Sequence, residues 1–251
     1  MSPLFALILG HLIGDFVLQT IDLVRYKGHS WKGLLLHTAI VVASCAVCLW
    51  SNLPAWWPWL IPMFLTHVVT DWAKVAINNR TTNWKTRLFF LDQLVHFGII
   101  FLIVIVQSGG WPYRSLAEAI GAGALNRPLF YFTAWIVAVF VVPLLEAQAA
   151  YALTRYVPRG TDSCGNSSDI AASVSDRLWG GFERTVVLLL VVVGPPALWF
   201  APLAFIPRIA SLRAAWKHPC QARVYRIKIA ISVLSMVVIG LAVWLAQPHL
   251  A

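Results

Sequence analysis

A chain of 251 residues that is 59% hydrophobic and only 12% charged, with a mean hydropathy of +0.74, carries too few charged side chains to cover a water-soluble globule, and that class is excluded. Its formal net charge of +9 is concentrated in short connections between apolar runs, a mark of membrane topology that argues against nucleic acid as a partner. The four cysteines are too scattered for a disulfide framework, and Cys45 and Cys48, a C-x-x-C inside an apolar run, read as small packing residues.

Several apolar runs are about 20 residues long, enough to cross a hydrocarbon layer about 30 Å thick. The expected fold class is therefore all-α, a polytopic transmembrane helical bundle of eight membrane segments, with seven as the fallback. The first segment, about Pro3 to Asp22, lacks the basic start and cleavage site of a secretory signal and is expected to stay as a membrane helix. Arg25, Lys27 and Lys32 form a basic connection to a second segment, about Gly33 to Asn52, which ends at an uncharged turn holding Pro54 and Pro58. The third, about Trp57 to Ile77, leads through Asn78, Asn79, Arg80, Lys85 and Arg87 into the fourth, about Leu88 to Gln107. Trp56, Trp57 and Trp59 read as an interfacial belt. The positive-inside rule puts both basic connections in the cytoplasm and the N-terminus outside.

Ser108 to Arg127 reads as an outer loop with a short surface helix, followed by a fifth segment from about Pro128 to Ala150. Arg155 to Asp169 reads as a flexible inner loop. Gly194, Pro195 and Pro196 interrupt the next run, since proline cannot continue a helix interior. Two segments are expected there, about Ile170 to Val193 and Pro196 to Trp216. A basic cluster of Arg208, Arg213, Lys217, Arg223, Arg226 and Lys228 then returns to the cytoplasm, and a last helix runs from about Tyr225 to Ala246. By this reading 1–107 is a four-helix membrane unit, and 108–251 supplies further membrane helices that pack against it, with no separate soluble domain.

The first four segments carry the chemistry. His11 with Asp15, His67 with Asp71, and Asp92 with His96 are spaced i, i+4, which places each pair on one helix face, one turn apart. His37 stands alone in the second segment. Counted from the cytoplasmic ends at about 1.5 Å per residue, all seven fall in one layer roughly 6 to 17 Å deep. Ionisable groups are costly in a bilayer and mark functional sites. Imidazole nitrogen and carboxylate oxygen suit divalent ions, and an ion would compensate three buried aspartates. The expected metal ligands are His11, Asp15, His37, His67, Asp71, Asp92 and His96, for a divalent ion such as zinc, iron or manganese. The alternative is that the same groups hydrogen-bond across helices as structural glue. Gln19 and Lys74 extend two of these stripes and, with Gln93, are the candidate substrate-binding residues, although Lys74 also suits snorkelling to the headgroups. Lys27 reads as an interface anchor, with a site residue as the alternative, Glu146 is a candidate eighth member of the polar layer, and Glu183 and Arg184 read as a brace within the bundle, with facing the site as the alternative.

As they stand, His11, Asp15, Phe16, Gln19, Lys27, His37, His67, Asp71, Lys74, Asp92, Gln93 and His96 resemble the bacterial integral-membrane family catalogued as domain of unknown function 3307. That family's pattern is H-x-x-x-D-F-x-x-Q, a downstream lysine, an isolated histidine, H-x-x-x-D-x-x-K and D-Q-x-x-H. The resemblance spans roughly Leu4 to Phe101. It continues more weakly at Gly181 to Arg184, at Arg208 and over Tyr225 to Ser235. It implies a multi-pass protein of the bacterial cytoplasmic (inner) membrane with this histidine and aspartate set, and no established activity.

Three functions are compatible with the pattern. The leading one is a metal-dependent hydrolase acting on a lipid or other amphipathic substrate near the cytoplasmic leaflet, with Asp15 or Asp92 as catalytic base. A two-iron oxidase is a variant of the same ligand type. The second is a transporter of divalent cations or protons through the same cluster, a function that would favour internal repeats, and none is evident. The third is a non-catalytic scaffold whose polar layer fixes helix pairing.

Overall fold

The computed structural model describes residues 1–80, 85–113, 116–120, 126–155, 174–209 and 219–246, and among these there is no strand. Among the described residues five helices are long and apolar enough to cross a membrane: Trp31–Cys48, Trp50–Arg80, Thr86–Ser108, Arg127–Ala150 and Ala222–Ala246. A sixth is added if the bent pair Pro3–Val17 and Ile21–His29 counts as one span. The expected inner loop from Tyr156 onwards and the cluster around Arg213 and Lys217 lie outside the described residues, while Arg155 closes a helix. The chain divides into two compact units, one reaching Phe130 and the other beginning at Tyr131.

In the first unit α1 (Pro3–Leu12) starts at an N-cap whose Ser2 side chain accepts from the Phe5 N–H, with Pro3 in the first turn. Both features fit the free donors at a helix start. The single helix expected over about Pro3 to Asp22 is corrected here. α1 passes into a π-helical turn, Ile13–Val17, and after a break α2 (Ile21–His29) leaves at 89°. Thr20 caps α2 by accepting from the Leu23 N–H at 3.2 Å. That local cap, which competes with helix continuation, accounts for the break.

The turn expected at Pro54 and Pro58 is also displaced. α3 (Trp31–Cys48) ends in a 3₁₀ turn at Trp50–Asn52, and α4 (Leu53–Arg80) carries Pro58 and Pro62 inside it. Pro54 fits the first turn, where no N–H partner is needed. Thr66 Oγ1 lies 2.7 Å from the Pro62 carbonyl and 3.1 Å from that of Met63.

α3 packs on α1, α2 and α4, while α5 (Lys85–Ser108) packs on α4 and α1, which closes a ring of four helices. One end of the ring is apolar, with Leu4, Leu7, Leu49, Trp56, Met63 and Val104 in one cluster. Close approach of α1 to α3 depends on Gly10 and Gly14, where an added Cβ would meet the Cys45 Cα and the Val41 Cα at 2.5 Å. This is the small-residue spacing that lets membrane helices touch. Cys45 is a free, buried thiol that donates to the Leu7 carbonyl at 3.6 Å, as a packing residue would. The expected short helix appears as α6 (Leu116–Ile120), and Ser2 donates to its Ala119 carbonyl.

In the second unit α7 (Asn126–Ile136) continues through a π-helical turn, Val137–Val141, into α8 (Val142–Arg155). α9 (Val174–Val193) ends at Gly194, whose φ of +125° is a conformation that L side chains avoid. The interruption expected at Gly194 to Pro196 is present. It leads into α10 (Pro196–Ile209), which opens with a 3₁₀ turn and is shorter than a full span. α11 (Pro219–Ala246) packs on α8 and α9.

Glu146, Glu183, Arg184 and Arg208 are buried together in this unit. Arg184 and Arg208 donate to Glu146 at 2.6 and 3.2 Å, and Arg208 pairs with Glu183 at 3.1 Å. Ser232 donates to Glu183 at 2.9 Å. Glu146, expected in the polar layer of the first four segments, is instead claimed by two arginines from α9 and α10. The adjacent Glu183 and Arg184 take different charged partners, Arg208 and Glu146, and share Ser232.

Candidate metal centre

The ring α1, α3, α4 and α5 turns its histidines and aspartates inward at the end opposite the apolar cluster. His11, Asp15, His37, His67, Asp71, Asp92 and His96 are all buried, the most exposed being Asp15 at 8%. The i, i+4 partners share a face as expected, yet the shorter contacts run between helices. His37 Nε2 lies 3.1 Å from Asp15 Oδ1, 3.3 Å from Asp71 Oδ2 and 3.3 Å from His67 Nε2. The within-helix separations are longer, 3.8 Å for His67 to Asp71 and 3.7 Å for His96 to Asp92. The rings of His67 and His96 lie close but tilted, with centroids 4.1 Å apart and planes at 33°, and the His11 ring centroid lies 5.3 Å from that of His96. The π-helical turn carries Asp15, and such turns recur at functional sites.

All three candidate substrate residues reach this layer. Gln93 donates to Asp15 at 2.8 Å and to Asp92 at 3.2 Å. Gln19 lies 3.5 Å from Asp15 and 3.3 Å from His37 Nδ1. Lys74 Nζ pairs with Asp92 at 2.5 Å, so it faces the cluster, although its side chain keeps 23% exposure. Lys27 falls on the second of the two readings left open for it, a site residue: its Nζ lies 3.1 Å from Asp71 Oδ2 and its side chain is 9% exposed. The sharp turn into α2 is what folds it back over α4, and a straight first helix would have carried it away.

Sequence reasoning missed Thr70, whose Oγ1 lies 2.9 Å from His96 Nε2. Its position three residues after His67, on the same stripe, was the available signal.

Residues 4–122 match the model of a family described as Protein of unknown function (DUF3307). The N-terminal segment is a DUF3307 domain. No curated protein and no solved structure matches the chain. The DUF3307 segment contains the closed ring and every member of the buried cluster. Its description assigns no reaction, so the chemistry has to be argued from donor atoms.

Two donor sets lie within 4.8 Å among themselves, Asp15 with His37 and His67, and His67 with Asp71 and His96. A four-coordinate ion with bonds of about 2.1 Å separates its donors by about 3.4 Å. The interhelical distances of 3.1 and 3.3 Å around His37 Nε2 fall at that spacing. Buried polar atoms without a protein partner are also concentrated here: both nitrogens of His11, Nδ1 of His96, Oδ1 of Asp92 and Oε1 of Gln93. Such atoms are uncommon in folded proteins and point to a bound group. The residues therefore fit a divalent ion.

Proposed function

We propose that the chain is a multi-pass protein of the bacterial cytoplasmic membrane, embedded as eight segments with the N-terminus outside, and that its N-terminal ring is a metal-dependent hydrolase of a lipid or other amphipathic substrate. The observation that carries this reading is the Asp15, His37 and His67 donor set, a two-histidine, one-carboxylate arrangement of the kind that holds zinc, iron or manganese. A bound ion of this type supplies Lewis acidity and lowers the energy of deprotonating water.

The remaining residues have roles that follow from their positions. Asp92 keeps Oδ1 free of hydrogen bonds while Lys74 and Gln93 hold its Oδ2, so Oδ1 can receive the proton from the attacking water. Asp15, fixed by Gln93 and His37, is the second carboxylate able to do so. Water adds across the ester, amide or phosphoester bond, and the leaving group departs with that proton.

A cavity of about 410 Å³ lies between α2, α3 and α4, with Lys27, Trp31, Leu34, Trp72 and Asn79 in its wall. Its volume is in the range of small-molecule pockets. The stacked rings of Trp31 and Trp72, 6.2 Å apart, present an apolar face next to the Lys27 ammonium, which suits a molecule with an apolar chain and an anionic group.

The broken first segment favours a second reading, because transporters bind ions where membrane helices are interrupted. In that case the same residues pass a divalent cation or protons. The two are separated by purified protein reconstituted into vesicles. Release of free acid or phosphate from a phospholipid, abolished by a chelator and by Asp15→Asn, supports the hydrolase. Metal or proton flux without hydrolysis overturns it in favour of transport. Neither activity, with metal content unaffected by substitution, leaves the scaffold reading.

A further inference from the structure

The buried charges of the ring do not balance once an ion is bound. Asp15, Asp71 and Asp92 are buried, and the ammonium groups that reach them are those of Lys27, on Asp71, and Lys74, on Asp92. Every other charged side chain described in this unit is exposed. With the four imidazoles neutral, the form in which histidine ligates, the layer carries one excess negative charge. A divalent ion turns that excess into one net positive charge. Buried net charge is costly, so the loaded centre calls for one further anion.

The cavity of about 410 Å³ between α2, α3 and α4 offers that anion a place. Lys27 is in its wall, and the same side chain holds Asp71, whose Oδ2 lies 3.3 Å from His37 Nε2. The cavity and the donor layer therefore share one lysine, and an anion drawn to it lies next to the charge that needs it. The rest of the wall is amphipathic. Ser30 and Asn79 are polar, whereas Leu34, Val75 and the stacked indoles of Trp31 and Trp72 are apolar. Both indoles are about half exposed, an apolar surface of the kind that an acyl chain covers.

We infer that the cavity binds an amphiphile whose headgroup carries a single negative charge, a lipid phosphodiester of the phosphatidylglycerol type, and that this lipid and the divalent ion bind cooperatively. This rests on the proposed metal-binding role of the ring and deepens it by naming the substrate class. A zwitterionic phospholipid brings no net charge and a phosphomonoester brings about two, so neither leaves the loaded layer neutral. A fatty acid has the right charge but no bond for the proposed hydrolysis to break. The coupling is reciprocal, so the lipid tightens the ion by the factor by which the ion tightens the lipid. Removal of either lysine charge leaves the loaded layer neutral without an anion, and the coupling then vanishes.

The test is a metal titration in bilayers of different charge. The full chain, stripped with a chelator, is placed in lipid discs of phosphatidylcholine alone, or with phosphatidylglycerol or phosphatidic acid added to matched surface charge, and titrated with Zn²⁺ against a fluorescent chelator. The wild type is expected to hold Zn²⁺ about tenfold more tightly with phosphatidylglycerol than in either other bilayer, within the usual range for coupled sites. Lys27→Met and Lys74→Met should bind Zn²⁺ equally in all three. Trp72→Ala, an exposed position whose loss keeps every buried charge, should lose the preference as well and serves if the lysine variants do not fold. Zn²⁺ bound equally in the three bilayers by the wild type overturns the inference and leaves the metal reading, with hydroxide as the balancing anion. Tightest binding with phosphatidic acid overturns the single charge. A preference that persists in all three variants is an effect of bilayer surface charge and overturns the site. The same tightening by dimethyl phosphate in phosphatidylcholine discs overturns the lipid as the source of the anion. No Zn²⁺ bound in any bilayer overturns both this inference and the metal reading.

Discussion

Asp15, Asp71 and Asp92 are chemically alike but differently held. Asp71 and Asp92 are each within 3.1 Å of a lysine Nζ, while Asp15 is fixed by His37, Gln19 and Gln93. Three carboxylates against two ammonium groups leave one negative charge in a buried layer, and a cation or a proton has to balance it. The Lys27 to Asp71 pair is almost wholly buried, so removing one partner strands a charge. Lys27→Met is expected to cost about 3–5 kcal/mol. Lys27→Met combined with Asp71→Asn should cost less than the sum of the two single changes, because neither charge is then left alone. Unfolding in detergent, followed by helical circular dichroism, measures both. Additivity would mean that the pair is not coupled.

Elements rather than single residues decide which groups meet. Three of the four helix stripes were legible from i, i+4 spacing, and so was their convergence on one level of the ring, because helical periodicity and segment ends are both written locally. The contacts that matter most were not legible. His37 to Asp15 and Lys27 to Asp71 depend on the π-helical turn and on the 89° exit into α2, and neither has a strong local signature. The close packing of α1 on α3 was legible in principle, since Gly10 and Gly14 are spaced one turn apart. Gly10→Ala should push α1 off the α3 backbone that now lies 2.5 Å from the added carbon, with a loss of about 1–3 kcal/mol. Thr20→Ala should lose the α2 cap at about 1 kcal/mol. Because α2 carries Lys27, the account predicts that Thr20→Ala also weakens retention of the bound ion, read as a lower metal content after dialysis. An unchanged metal content would mean that α2 does not position the centre.

At the scale of the whole chain, two buried charge clusters occupy different units and differ in kind. The first is rich in histidine and has donor atoms without partners. The second, Glu146, Glu183, Arg184 and Arg208, is a set of mutually paired charges suited to holding α8, α9 and α10 together. Arg184→Met is therefore expected to destabilise by about 3–5 kcal/mol while leaving metal content unchanged, a separation that unfolding and elemental analysis report side by side. Glu146 was assigned to the wrong cluster from sequence because depth in a membrane says nothing about which helices are neighbours. A ligand that binds only the folded state stabilises it, by about 2.7 kcal/mol at a hundredfold excess over its dissociation constant. Stripping the metal should lower the melting temperature of the wild type and change that of His67→Ala little.

His67 is the residue common to both donor sets, so the central claim is tested most directly by the elemental content of purified wild-type protein beside His67→Ala. The account predicts bound divalent metal in the wild type and its loss in the variant, with both eluting as folded protein. Equal metal content in the two, including none in either, would contradict it.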